Sequence, residues 1–257
     1  MSDQPPEDAL PFEAWELNVL GVYDIVSPHP TTGLEEWFAF LRRSADVPGD
    51  VCEFGVFRGR SLLGAALLLR SADDPRQVVG FDTFAGFPEP AFEDLPERFE
   101  ELAAGGQIDA AHLARVRRNA ALLEATGRTL DPLRSSTSGA FDDTSRALIE
   151  ARAATLGVDD RITLFEGEFA ASLARPENAD RTLSGVLIDS DLYAGYATVL
   201  PWAWERLSPG GMIYLDEYYS LKFPGPRIAV DAFCAEAGVR PTLLRRDGTF
   251  ERWALLR

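Results

Sequence analysis

The stretch Gly185-Val186-Leu187-Ile188-Asp189-Ser190-Asp191-Leu192-Tyr193 decides the fold. An apolar run without polar alternation ends abruptly in two acids. Such a run reads as a strand buried on both faces, as in a parallel sheet. The pattern recurs downstream, where Gly211-Met212-Ile213-Tyr214-Leu215 is followed by Asp216-Glu217-Tyr218-Tyr219. Open α/β sheets hold their ligands at the C-terminal ends of such strands. Two acidic clusters side by side at that rim repel each other unless something positive lies between them. The candidate is a divalent metal bound through oxygen alone.

Outward from this pair the chain alternates strand and helix patterns. Strands are predicted at Asp50–Phe54, Gln77–Phe81, Arg161–Phe165, Ser184–Ile188 and Gly211–Leu215. Helical patterns cover Phe12–Val22, Gly33–Ser44, Ser61–Arg70, Asp143–Leu156, Tyr193–Leu207 and Arg227–Ala237. The end reads as Pro241–Arg245, a turn at Asp247-Gly248, and Phe250–Leu255, an antiparallel final pair. The fold class is α/β: a Rossmann-like, mostly parallel sheet with an antiparallel last strand and helices on both faces. Residues 1–30 are expected to be an N-terminal arm, and 31–257 one domain. The alternation breaks at about 85–140, where helices are predicted at Glu93–Ala103 and Ala110–Ala125, with a Ser/Thr-rich loop at Ser135–Ser138. A strand-free segment of that length is functional or mobile, and it reads as a helical cap over the sheet's rim.

The net charge of −16 argues against nucleic acid and against anionic membrane surfaces, since both are held by Lys and Arg. Cys52 and Cys234 lie in apolar patterns and read as core residues, not as a disulfide or metal pair. The start of the chain is acidic and Pro-rich, unlike a signal peptide, and no stretch is apolar enough to span a bilayer. The expected location is cytoplasmic.

A second motif is Val51-Cys52-Glu53-Phe54-Gly55-Val56-Phe57-Arg58-Gly59-Arg60-Ser61: strand, glycine turn, helix start. Gly55 permits a tight turn, Gly59 permits close approach of a ligand, and the helix N-terminus offers unpaired N–H groups. The Gly-x-x-x-Gly spacing matches neither the dinucleotide nor the P-loop pattern. A tight βα turn with no ligand is the alternative. The next strand ends in Asp82, where such folds hold the ribose hydroxyls of an adenosine. A turn or capping role competes for Asp82.

Taken together, Glu53-Phe54-Gly55-Val56-Phe57-Arg58-Gly59, Phe81-Asp82-Thr83-Phe84-Ala85-Gly86-Phe87-Pro88, Phe165-Glu166-Gly167-Glu168-Phe169, Asp189-Ser190-Asp191-Leu192-Tyr193, Ser208-Pro209-Gly210-Gly211 and Asp216-Glu217-Tyr218 resemble the macrocin O-methyltransferase family. Pro224–Arg227 and Val230-Asp231 continue the likeness, which covers about Thr32 to Phe233. The resemblance implies an enzyme that uses S-adenosylmethionine and Mg²⁺ to methylate a sugar or aromatic hydroxyl in antibiotic pathways. It implies cofactor contacts from Thr32, Glu53, Gly55, Gly59, Ser61, Asp82, Thr83, Glu166, Gly167, Phe169 and Asp189. It implies metal ligands Asp189, Asp216 and Glu217. This chain has Asp216-Glu217 where the family usually has two aspartates, and residues 93–138 match nothing in it.

Methyl transfer needs an aligned, deprotonated oxygen. Asp191 is the candidate general base, with N-cap of a helix beginning at Leu192 as its rival role. Thr32 is equally a cap of the Gly33 helix. His112 is either a base, a substrate contact or a surface helix residue; Arg227 faces substrate or steadies its helix. Trp202, Trp204, Tyr218 and Tyr219 suit a core better than a sugar platform. The expected acceptor is a deoxyhexose, possibly nucleotide-linked. An aromatic diol methyltransferase and an Asp-x-Asp glycosyltransferase are the rivals. The aromatic arm Phe12–Tyr23 suggests a homo-oligomer.

Overall fold

The uninterrupted apolar runs become strands covered on both faces. The computed structural model describes residues 34–125, 127–135, 140–247 and 250–257. It contains strands β1 (Asp50–Phe54), β2 (Val78–Asp82), β3 (Ile162–Glu166), β4 (Leu183–Ile188), β5 (Leu207–Leu215), β6 (Thr242–Asp247) and β7 (Phe250–Leu256). Their order is β3-β2-β1-β4-β5-β7-β6. Strands β1 to β5 pair in parallel, and β7 runs antiparallel to both β5 and β6. The order reverses between β1 and β4, which opens a crevice beyond their C-terminal ends.

The helices are α1 (Glu35–Arg43), α2 (Arg60–Ser71), α3 (Arg98–Ala104), α4 (Ala110–Ala125), α5 (Arg146–Leu156), α6 (Phe169–Leu173), α7 (Tyr193–Arg206) and α8 (Gly225–Ala237). Successive strand residues feed opposite cores. Val51, Val78, Leu187 and Tyr214 join α1 and α2 on one face, with Trp37, Leu41, Leu62 and Leu63. Cys52, Val79, Val186 and Ile213 join α7 and α8 on the other, with Tyr196, Val199, Leu200 and Val230. Both cysteines are free and buried in this second core. Gly185 is bare because a Cβ there would meet Phe40 Cε1 at 2.9 Å and the Trp37 ring at 3.2 Å. Among the described residues no helix is long and apolar enough to cross a membrane.

The segment between β2 and α5 has a small core of its own: Phe99, Leu102, Ile108 and Val116, against which Leu221 and Ile228 pack. The helix expected over Glu93–Ala103 is instead a 3-10 turn at Phe92–Asp94 and then α3. Pro96 is the cause, since it forces Leu95 to extended geometry (φ −65°, ψ 137°). The five-residue α6 was not expected; it is too short to show a helical period. The arm, the Phe12–Val22 pattern, Thr32, residues 136–139 and the turn residues 248–249 lie outside the described residues.

Candidate active site

Five loops leave the crevice end of the sheet. Four of them start by continuing the ladder: Gly55 N–H donates to Phe81 O (3.0 Å), Gly167 N–H to Asp82 O (2.9 Å), Asp189 N–H to Phe54 O (2.9 Å) and Asp216 N–H to Ile188 O (3.1 Å). The loops after β1 and β4 nearly touch. A Cβ on Gly55, whose φ is +93°, would lie 1.8 Å from the Asp189 carbonyl oxygen, so no other residue fits there.

On the β1–β2 side every carboxylate is hydrogen-bonded locally. Asp82 Oδ2 accepts the N–H groups of Val56 (2.7 Å) and Phe57 (2.9 Å), and its Oδ1 accepts Phe84 N–H at 2.7 Å. Asp82 thus shapes the glycine turn as well as facing the cavity. Glu53 is buried beneath the turn and accepts the Ser61 hydroxyl at 2.7 Å. Burial, with Asp189 and Asp82 nearby, pushes its carboxyl well above the usual range.

Between the loops lies a cavity of about 530 Å³, lined by residues that include Gly55, Ser61, Asp82, Thr83, Phe169 and Asp189. Of the cofactor contacts implied by resemblance these six face it. Glu53 and Gly59 stand behind the turn. Glu166 and Gly167 end β3 outside the lining, which instead includes Glu168 and Ala170. Gly59 caps α2 at φ +85°, where a Cβ would press on Leu63 and Ile149, so its absent side chain serves packing. Phe57, Phe87 and Phe141 form an aromatic wall, with ring centroids 5.0 Å (Phe57–Phe141) and 4.9 Å (Phe87–Phe141) apart. Three of the five described non-glycine residues with left-handed backbone, Phe57, Phe141 and Asp191, line this cavity. Such strain concentrates at functional sites. Ser190, which also lines the cavity, has a buried Oγ without a hydrogen-bond partner.

On the β4–β5 side the carboxylates face one another. Ligand oxygens of Asp189, Asp191 and Glu217 lie within 4.8 Å of each other. Burial and the charges of Asp216 and Asp191 hold the Asp189 carboxyl far above its usual range. Burial and Asp216 push Asp191 up to about 7, against the opposing pull of Lys222. Glu217 is raised by burial and by Asp189, Asp191 and Asp216. Tyr196 Oη accepts Glu217 N–H (3.1 Å) and touches both Ile188 O (2.8 Å) and Glu217 Oε2 (2.7 Å). A phenol has one proton to give, so Tyr196 shares it between the Ile188 carbonyl and the Glu217 carboxylate. Without a cation this cluster stays partly protonated. Buried oxygen donors of this kind suit a hard divalent ion.

The trio differs from the set expected for metal. Asp191 takes the place expected of Asp216, whose Oδ1 instead lies 3.5 Å from Arg252 Nη1. Nor is Asp191 a helix cap: α7 starts at Tyr193, and Asp191 has φ +59°, not the extended backbone of an N-cap. His112 is neither cavity-facing nor on the surface. It stacks on Tyr219 (4.1 Å, 20°) and contacts Ser220 O at 2.7 Å through Nε2. Arg227 binds Asp231 and lies 4.0 Å over the Tyr218 ring. Tyr218 and Tyr219 are buried, as a core role requires.

One cavity residue escaped the sequence reading. Lys222 lines the cavity near Asp191 and is the only lysine in the chain, among 25 Lys and Arg residues. Counting lysine apart from arginine would have singled it out.

Sheet order, crevice and glycine turn define a methyltransferase. A family model described as "Methyltransferase domain" matches residues 52–218, well over half of the chain, and the chain belongs to that family. Methyltransferases of this fold take their methyl group from S-adenosylmethionine, and the glycosyltransferase rival falls away. The chain is 27% identical over 209 residues to mycinamicin III 3''-O-methyltransferase of Micromonospora griseorubida, covering 80% of this chain and 68% of that protein. It is 28% identical over 209 residues to 8-demethyl-8-(2,3-dimethoxy-alpha-L-rhamnosyl)-tetracenomycin-C 4'-O-methyltransferase of Streptomyces olivaceus, covering 80% of this chain and 66% of the relative. Among solved structures, apo CalS11, a TDP-rhamnose 3'-O-methyltransferase of calicheamicin biosynthesis, superposes with TM-score 0.54 and 25% identity, covering 96% of this chain and 87% of that one.

Proposed function

We propose that this chain transfers a methyl group from S-adenosylmethionine to a hydroxyl of a deoxyhexose, with Mg²⁺ assisting. The observation that carries the proposal is the cluster of Asp189, Asp191 and buried Glu217, of which Asp189 and Asp191 line the same cavity as the glycine turn and Asp82. The relative named for a rhamnosyl-tetracenomycin substrate supports a sugar acceptor, and CalS11 supports a nucleotide-linked one.

Asp189, Asp216 and Glu217 would hold the metal. The 3.5 Å contact of Asp216 with Arg252 is too long to be a strong bond and leaves that carboxylate available. Bound Mg²⁺ would supply Lewis acidity that lowers the pKa of an adjacent hydroxyl. The chain's residues do the rest. Gly55, Ser61, Asp82, Thr83 and Phe169 hold the donor, and the aromatic wall keeps water from the sulfonium. Asp191 accepts the hydroxyl proton as the oxygen attacks; the O–CH₃ bond forms, the S–CH₃ bond breaks, and sulfur keeps the electron pair as a neutral thioether.

The test is calorimetric titration of S-adenosylhomocysteine, followed by labelled methyl transfer to TDP-rhamnose, with and without EDTA. Binding plus EDTA-sensitive transfer is expected. Absence of S-adenosylhomocysteine binding overturns the donor assignment, and transfer undiminished by EDTA overturns the metal. Methylation of catechols in place of deoxysugars overturns the acceptor class.

A further inference from the structure

The segment between β2 and α5 grips both acidic loops. Helix α7 begins directly after Asp191, yet no side chain of its own caps it; its N-cap residue is Leu192. The missing acceptor comes from 99 residues upstream. Asp94, fully buried, accepts Tyr193 N–H on Oδ1 at 2.7 Å and Ala91 N–H on Oδ2 at 2.9 Å. Gly225, the first residue of α8, seals the contact, because a Cβ there would lie 2.0 Å from Asp94 Oδ1. Asp191 sits two residues before this anchor in a left-handed conformation that an L-residue holds only when its surroundings enforce it.

The second grip is on the loop after Glu217. Three successive residues there are bonded by helix α4: Arg115 Nε donates to Tyr219 Oη (2.6 Å), His112 Nε2 to Ser220 O (2.7 Å) and Asn119 Nδ2 to Leu221 O (3.0 Å). The donors are spaced for one helix face. Ser220 Oγ in turn accepts the N–H groups of Lys222 (3.1 Å) and Phe223 (3.0 Å), which sets the turn presenting Lys222 to the cavity.

We propose that this segment is a clamp that fixes the two acidic loops relative to each other, with Asp94 and His112 as positioning residues for Asp191 and for the Glu217–Lys222 loop. It rests on the methyltransferase reading. Its content is that the metal- and acceptor-binding half of the site takes its shape from the stretch Ala91–Ala125, while the donor half, built on β1–β2, is braced instead by the ends of the segment, Phe84 and Phe141–Thr144.

The test titrates S-adenosylhomocysteine and Mn²⁺ separately into the wild type and into Asp94→Ala, Asp94→Asn, His112→Ala and His112→Gln. Asparagine keeps an acceptor for Tyr193 N–H, and glutamine keeps a donor where Nε2 stood. The alanine variants should bind Mn²⁺ about tenfold or more weakly, as when supports around ligands are lost. Their S-adenosylhomocysteine affinity should stay within about twofold, and the Asn and Gln variants should recover most of the loss. Hydrogen exchange is read alongside: residues 189–196 should open faster in Asp94→Ala, and β1 should not. Unchanged Mn²⁺ affinity and exchange in Asp94→Ala, or parallel loss of both ligands, overturns the clamp. A wild type that fails to bind S-adenosylhomocysteine instead overturns the function on which it rests. If the wild type binds S-adenosylhomocysteine but not Mn²⁺, the exchange rates decide.

Discussion

The two halves of the crevice handle their carboxylates in opposite ways. On the β1–β2 side Asp82 takes three backbone N–H groups and Glu53 takes a serine hydroxyl, so each acid is satisfied by the protein itself. On the β4–β5 side Asp189, Asp191 and Glu217 bring carboxylate oxygens within 4.8 Å of one another, their pKa values raised by burial and by neighbouring acids. The first half is finished when the chain folds. The second is left electrostatically incomplete, which is costly in a buried setting unless a cation completes it. A site that must gather a neutral hydroxyl, a proton acceptor and a metal is served by that incompleteness.

The comparison can be broken first at Asp191. Asp191→Asn removes the proton acceptor and leaves the donor side intact. Methyl transfer should fall by about 10²–10⁴ in kcat, with S-adenosylhomocysteine affinity changed less than about twofold. Steady-state kinetics beside calorimetry reads this, and equal loss of both would merge the two halves into one unit.

Next in size is the junction itself. Gly55→Ala forces a Cβ into the Asp189 carbonyl and should destabilise the fold by about 3 kcal/mol or more, measured by urea unfolding. Gly106→Ala, at a similar positive φ with open space around it, isolates the backbone term and should cost about 1 kcal/mol. Asp82→Asn should then weaken S-adenosylhomocysteine binding by about tenfold, while Mn²⁺ affinity stays as it was.

The smallest effect is on pH-dependent stability. Asp191 has a folded pKa raised to about 7, above its unfolded value of about 3.9. The folded state therefore holds the extra proton, and the stability this contributes is full below about pH 4 and lost as pH rises to about 7. The metal-free protein should lose melting temperature across that window, by about 2–4 °C for each kcal/mol. Mg²⁺ at pH 8 should restore it, and Asp191→Asn should flatten the slope in thermal scans.

What was legible in the sequence follows the same divide. Strand β1 was placed to the residue, and β2 and β4 to within one, because buried strands write their length as apolar runs. Asp189, Asp191 and Glu217 could be found because each follows such a run. The partners of the acids could not. Asp94 and Tyr193 are 99 residues apart, and nothing local marks an aspartate as the cap of a distant helix. His112 resembled any polar residue on a helix, since its burial depends on Tyr219 arriving from β5's loop. That Asp191 joins the carboxylate trio and Asp216 lies beside Arg252 was equally hidden, because β7 is recognisable as a strand but not as the neighbour of β5.

Lys222 turns composition into a handle. Arginine carries nearly all of this chain's positive charge and does not react as an amine. An acylating reagent therefore finds one side-chain nitrogen, on the wall of the cavity, besides the terminal amine. Each occupant of that cavity can be scored by whether it shields that nitrogen, with intact mass as the readout. A fluorophore placed there would report on the crevice from a single defined point.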